Sequence, residues 1–143
     1  MFSTRKNSPF ILRLVEGESV FSALTICTRE NQFGSAIFTG VGALSDLSIG
    51  FYHRHTQQQT IKNFADTYEI ASLNGNITWV DNKPFIHIHA SMSDDSFAVF
   101  GGHIIDAHAS ASTEIAIIPM TYAITREYDP KLKIFIIPNA FTN

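Results

Sequence analysis

The chain has 143 residues, 45% of them apolar and only 16% charged, with a net charge of −3 and one cysteine. That length can bury a core without covalent staples, and a single thiol excludes an intrachain disulfide. No run of Lys and Arg exceeds the pair Arg5-Lys6, so the basic face of a protein that grips nucleic acid through its phosphates is not visible.

Nothing approaches the ~20 apolar residues of a membrane span. Pro9-Phe10-Ile11-Leu12 follows the basic pair in the manner of a signal peptide, but Arg13 and Glu16 interrupt it and no small-residue cleavage site follows. The chain therefore reads as one soluble, cytoplasmic domain over residues 1–143, with its core at about 9–137. Charged residues usually make up ~25% of a chain, so the low share here points to surface hidden by other subunits. Cys27 fits a reducing compartment and reads as a small buried residue on a helix.

Pro9 to Val15 forms the first expected strand. Glu16-Gly17-Glu18-Ser19 breaks it and supplies an N-cap and acids for a positive helix end. From Ser19 to about Gln32, Val20, Leu24 and Cys27 fall at helical spacing, and Gly34 follows as a stop signal. This is the one helix that the pattern supports.

Strands and turns follow. Ser35 to Leu44 contains Gly40-Val41-Gly42, where backbone bends or packs closely. Ser45 to Arg54 is the next strand, and the polar stretch from Gln57 to Phe64 is an edge strand or a loop. Tyr68 to Leu73 and Asn76 to Val80 flank Asn74-Gly75, a hairpin signal. Asp81-Asn82-Lys83-Pro84 turns the chain into the run from Phe85 to Met92. Gly101-Gly102-His103 reads as a turn opening a strand to Ala109, and Glu114 to Ile124 and Leu132 to Ile137 close the chain around Asp129-Pro130. One short helix cannot cover both faces of seven to nine strands, so the sheet must curl, pack on another subunit, or both.

The run F-I-H-I-H-A places His87 and His89 two residues apart, hence on one face of a strand. If residues 93–97 reverse the chain, His103 returns beside them. Three imidazoles suit zinc or another divalent metal and leave a fourth position open. The competing reading is histidines hydrogen-bonded to backbone in a core or interface. Glu69 and Glu114 stand in otherwise apolar strands, as partners that orient a ligand histidine or as solvent-facing residues. His53 and His55 share a face near a polar loop, His108 has parity opposite to His103, and Asp94 and Asp95 read as turn residues.

Several ordered segments resemble one family. Arg13-Leu14 with Gly17-Glu18, then Thr39-Gly40-Val41-Gly42-Ala43-Leu44, resemble its opening. The run from Tyr68 to Ile77 is similar to its central E-I-x-S-L-x-G segment, and Pro84 to Ala90 with Gly101-Gly102-His103-Ile104 resemble its paired histidine motifs. This is the plant-and-prokaryote-conserved (PPC) domain, which plants carry behind AT-hooks in nuclear DNA-binding proteins. The resemblance implies an α/β (α+β) fold: a mostly antiparallel, strongly curved sheet of about seven or more strands with one main helix, assembled as a homotrimer. It further implies zinc on His87, His89 and His103, as in some prokaryotic relatives.

Three functions compete on this reading. The leading one is a non-enzymatic metal-binding trimer acting through protein contacts, or within a DNA-associated complex. The second is a small zinc enzyme, with Glu69 or Glu114 as base or orienter. The third is direct DNA binding, which the charge balance disfavours and for which the chain has no Arg-Gly-Arg-Pro hook.

Overall fold

Alternation of inward and outward side chains organises much of the protein, because a strand turns successive residues to opposite faces. The computed structural model describes residues 8–139; the basic pair Arg5-Lys6 lies outside the described residues. Strand β1 is Phe10–Val15, helix α1 Val20–Asn31, β2 Ser35–His53, β3 Gln58–Val80, β4 Lys83–Ser93 and β5 Val99–Met120. A small antiparallel pair, β6 Glu127–Asp129 and β7 Ile134–Ile136, completes the seven strands.

The main sheet runs in the order β1-β5-β2-β3-β4, all antiparallel, and β4 pairs again with the start of β5. That second pairing joins β2, β3, β4 and β5 into a closed ring and removes the edge that β4 would otherwise expose. The expected strongly curved, mostly antiparallel sheet with one helix is therefore the observed fold. Leu44, Leu47, Ile49, Leu73, Ile77, Ile88, Met92 and Ile104 point inward and are buried. Val20, Leu24 and Cys27 of α1 join the same core, and the helix lies against β4 and β5. Ser19 caps the helix by accepting from Ser22 N at 3.3 Å. Burial pushes the Cys27 thiol up to about 11, as suits a packing residue rather than a nucleophile.

Three local expectations are corrected. Asn74-Gly75 is no hairpin: β3 runs straight through it, with Asn74 opposite Thr39 and His89. Gly75 is there for close approach, since a Cβ would lie 2.3 Å from the Phe38 ring. The segments from Ser35 to Leu44 and Ser45 to Arg54 are one strand, kinked by bulges after Gly42 and at Asp46, which takes φ 49. The helix ends at Gln32, as expected, and that residue takes the left-handed conformation, φ 53. Gly101-Gly102 lies inside β5, not in a turn. The reversal is at residues 94–98, where Asp94 accepts from Ser96 N and Ala98 N at 2.9 Å each. These bonds, led by that from the Ser96 hydroxyl, hold its carboxyl below the usual range.

Candidate metal centre

His87 and His89 leave β4 on its outer face, since the intervening Ile88 is buried in the core. The β4–β5 pairing sets His103 directly opposite His89, and directly paired residues of antiparallel strands share a face. The three ring centroids stand 5.1, 5.2 and 5.3 Å apart. One ring nitrogen from each lies within 4.8 Å of the other two. Three nitrogens on a tetrahedral ion are roughly 3.3 Å apart at bond lengths of about 2.05 Å. Small rotations of half-buried and exposed rings reach that figure, so the donors fit a divalent ion.

The environment favours the neutral form of two donors, His87 and His103. Burial, then the Arg126 guanidinium, then His103 and His89 hold His87 down to about 4. Burial, then His89, lowers His103. A neutral imidazole offers a metal its lone pair at pH 7 without first losing a proton.

Arg126 is the residue that the sequence did not reveal. It lies beyond the last long strand, in a segment anchored beside β3: Arg126 N donates to Trp79 O at 2.8 Å, and Trp79 N to Ile124 O at 2.9 Å. From there Nε donates to Thr78 Oγ1 at 2.8 Å, and Nη1 to Phe135 O at 3.2 Å. Nη2 lies 3.0 Å from Asn76 Oδ1 and 3.4 Å from His87 Nδ1. The guanidinium also stands over the Phe85 ring, 4.8 Å from its centroid. Thr78, Asn76, Phe85 and His87 share the outer face because Thr78 pairs with Phe85 and Asn76 with His87. No spacing motif marks a lone arginine in T-R-E-Y-D; only the return of the C-terminal segment brings it here.

The other expected residues lie elsewhere. Glu69 is exposed, opposite Ala43 and Ser93. Glu114 is exposed, opposite Arg13 and Val41. The polar side chains that contact the cluster are Arg126 and, through it, Asn76 and Thr78. His53 pairs with Thr60 Oγ1 at 2.8 Å, and His55 is exposed in the turn after β2. His108 sits beside Ser19 and Ser45, and its buried Nδ1 has no partner among the described residues. A surface groove of about 310 Å³, lined by Tyr128, Pro130 and Pro138 among others, shares no lining residue with the cluster.

The outer face away from the site carries exposed apolar residues among the polar Thr39, Arg13 and Glu114. Ile37 lies opposite Asn76, which lies opposite His87. Beyond it Ile37 pairs with Ile118, and Val41, Ile11 and Val15 extend the patch; all five are exposed.

The family model described as the Plants and Prokaryotes Conserved (PCC) domain matches residues 1–121. No curated protein matches the chain. Among solved structures, a metal-containing protein from Archaeoglobus fulgidus is 27% identical, with a TM-score of 0.84 over 97% of this chain and 99% of its own. A protein from Ralstonia eutropha JMP134, named "Putative DNA-binding protein", is 28% identical, with a TM-score of 0.82 over 90% of each chain. A plant- and prokaryote-conserved (PPC) protein from Pyrococcus horikoshii is 23% identical, with a TM-score of 0.85 over 95% of this chain and 94% of its own, and shares the fold.

Proposed function

The chain belongs to the Plants and Prokaryotes Conserved domain family, and from that premise we propose that it is a cytoplasmic, metal-binding homotrimer that works through protein contacts. His87, His89 and His103 would hold zinc or another divalent ion. The convergence of three ring nitrogens within 4.8 Å on two paired strands is the observation that carries this reading. The relative from Archaeoglobus fulgidus, described as metal-containing, supports it.

Trimer formation rests on the outer apolar face. Ile11 and Val41 are 67% and 60% exposed, and exposed apolar residues grouped on one face are what a subunit interface covers. No helix among the described residues is long and apolar enough to cross a membrane. The buried Cys27 thiol suits a reducing compartment.

Two alternatives remain distinct in their chemistry. A zinc enzyme acting on a small molecule needs a proton-transfer group beside the ion, and the side chain that reaches the cluster is an arginine, a donor only. Direct DNA binding is supported by the name of the Ralstonia relative and opposed by the net charge of −3.

Metal analysis of protein purified without a histidine tag, compared with His87→Ala and His89→Ala, tests the centre. The parent should carry close to one ion per chain and the variants little; equal metal in all three sinks the reading. Sizing should give a trimer. A gel shift across a salt series should show no DNA affinity beyond weak, salt-sensitive association.

A further inference from the structure

Among the described residues, Arg126 carries its charge beside the three histidines without a counter-ion. Its four polar contacts are to a hydroxyl, a carbonyl, an amide and an imidazole. Burial is what lowers its pKa, with no acidic neighbour contributing. Residues 1–7 and 140–143 contain no Asp or Glu side chain that could supply one. A half-buried cation is costly unless something negative joins it.

The hydrogen bond to His87 sharpens this. Arginine only donates, so His87 Nδ1 must accept from Nη2. A neutral imidazole has one lone-pair nitrogen and one N–H. A metal that takes Nδ1 occupies the acceptor, and a metal that takes Nε2 leaves the proton on Nδ1. Either way the bond from Arg126 cannot persist. A metal on His87 therefore frees one N–H of Nη2, while Nη1, which gives one hydrogen to Phe135 O, has a second. Two donors on adjacent terminal nitrogens are then open, the Nη2 one beside a site that also holds a dication.

We propose that this site takes a small oxyanion, a carboxylate or phosphate group, held between the metal on His87, His89 and His103 and the freed fork of Arg126. The inference rests on the metal reading above. Two oxygens on one centre match the guanidinium fork, and both cations attract one negative group. Thr78, Asn76 and the Phe85 ring hold the guanidinium in place, so little side-chain freedom is lost on binding. Arg126 lies past residue 121, the end of the family-model match, so the specificity belongs to this chain's C-terminal segment. Linkage makes the effect reciprocal: the anion must tighten the metal by the same factor as the metal tightens the anion.

The test uses cobalt(II) as a visible probe on the full chain. Cobalt affinity and stoichiometry are measured first, without anion, on the parent, Arg126→Gln and Arg126→Lys. The loaded proteins are then titrated with inorganic phosphate and, separately, with acetate, reading the cobalt absorption bands. The parent should bind at least one of the two, which distinguishes phosphate from carboxylate recognition. Arg126→Gln should weaken that anion ~10-fold or more, within the usual range of coupling between sites, yet bind cobalt alone as tightly as the parent or better. Arg126→Lys, which keeps the charge and loses the fork, should fall between. Neither anion perturbing the parent's spectrum overturns the proposal, as does Arg126→Gln binding the anion within two-fold of the parent. Weaker cobalt binding by Arg126→Gln shows that Arg126 supports the fold, and likewise overturns it. Failure of the parent to bind cobalt removes the metal reading itself and is seen before any anion is added.

Discussion

Arg126 Nη2 stands 3.4 Å from His87 Nδ1, although the two residues are 39 positions apart in the chain. The contact sets the acid–base behaviour of the cluster. Burial is the larger cause and the guanidinium the second in holding His87 at about 4, against 6.5 for a free side chain. Arg126→Gln removes the second cause and leaves the first, so His87 should titrate at a higher pH than in the parent while staying below 6.5. An NMR titration of the imidazole Cε1–H signals reads this directly. An unmoved His87 would mean that the guanidinium is too well screened by solvent to matter.

Stability should depend on pH through the same residue. Between about 4 and 6.5 the unfolded chain protonates His87 and the folded chain does not. The unfolded state then binds more protons, so stability rises with pH across that window. The contribution of His87 is thus fully present above about 6.5 and is lost as pH falls toward 4. His103, also lowered, acts with the same sign. In melting curves of metal-free protein between those limits, His87→Gln should show a shallower fall of Tm than the parent. Equal slopes would contradict the assignment.

Removal of any one imidazole should reduce metal affinity beyond the ~10–100-fold typical of an acceptor that orients a ligand histidine, a role that the donor-only Arg126 does not play. His89→Ala and His103→Ala should each cost ~100-fold or more, measured by competition with a chelating dye. His55, exposed in a turn, serves as the control. His55→Ala should leave affinity unchanged.

Gly101 is the steric condition for closing the ring. It lies opposite Ser91 on β4, and a Cβ there would stand 2.2 Å from the carbonyl oxygen of Ala90. Gly101→Ala must push β4 and β5 apart two residues from His103. The cost should be about 1–3 kcal/mol, the usual range for overpacking, with weaker metal binding alongside. Chemical denaturation and dye competition measure the two together. A variant with parental stability and affinity would show that the seam yields more easily than backbone contact permits.

The apolar outer face predicts how the assembly breaks. Val41 and Ile118 are 60% and 48% exposed, on neighbouring strands. Val41→Lys and Ile118→Lys should be nearly neutral in an isolated subunit, within about 0.5 kcal/mol. In a trimer built on this face they place bulky charged side chains in the interface, so light scattering should report smaller species with unchanged circular dichroism. Trimers that survive both changes would move the interface elsewhere.

Much of this protein follows from short-range pattern. A strand sends residues two apart to one face, so His87 and His89 had to point together, and the helical spacing of Val20, Leu24 and Cys27 had to give a buried stripe. Those rules reach only a few residues. Asn74-Gly75 carries the local chemistry of a turn, yet pairing on both sides keeps it extended, and its glycine answers to the Phe38 ring. Gly101 likewise serves the passage of β4, and Gly102 that of β2, rather than a reversal. The closure of β4 on β5, which brings His103 opposite His89, and the return of Arg126 from beyond the last long strand are long-range events. No local preference encodes them, because they come from which surfaces bury one another once the sheet has curled. The sequence by itself determined the single helix, the strand-rich fold and the shared face of two histidines. Only the tertiary structure decided that a third imidazole and one unneutralised guanidinium complete the site.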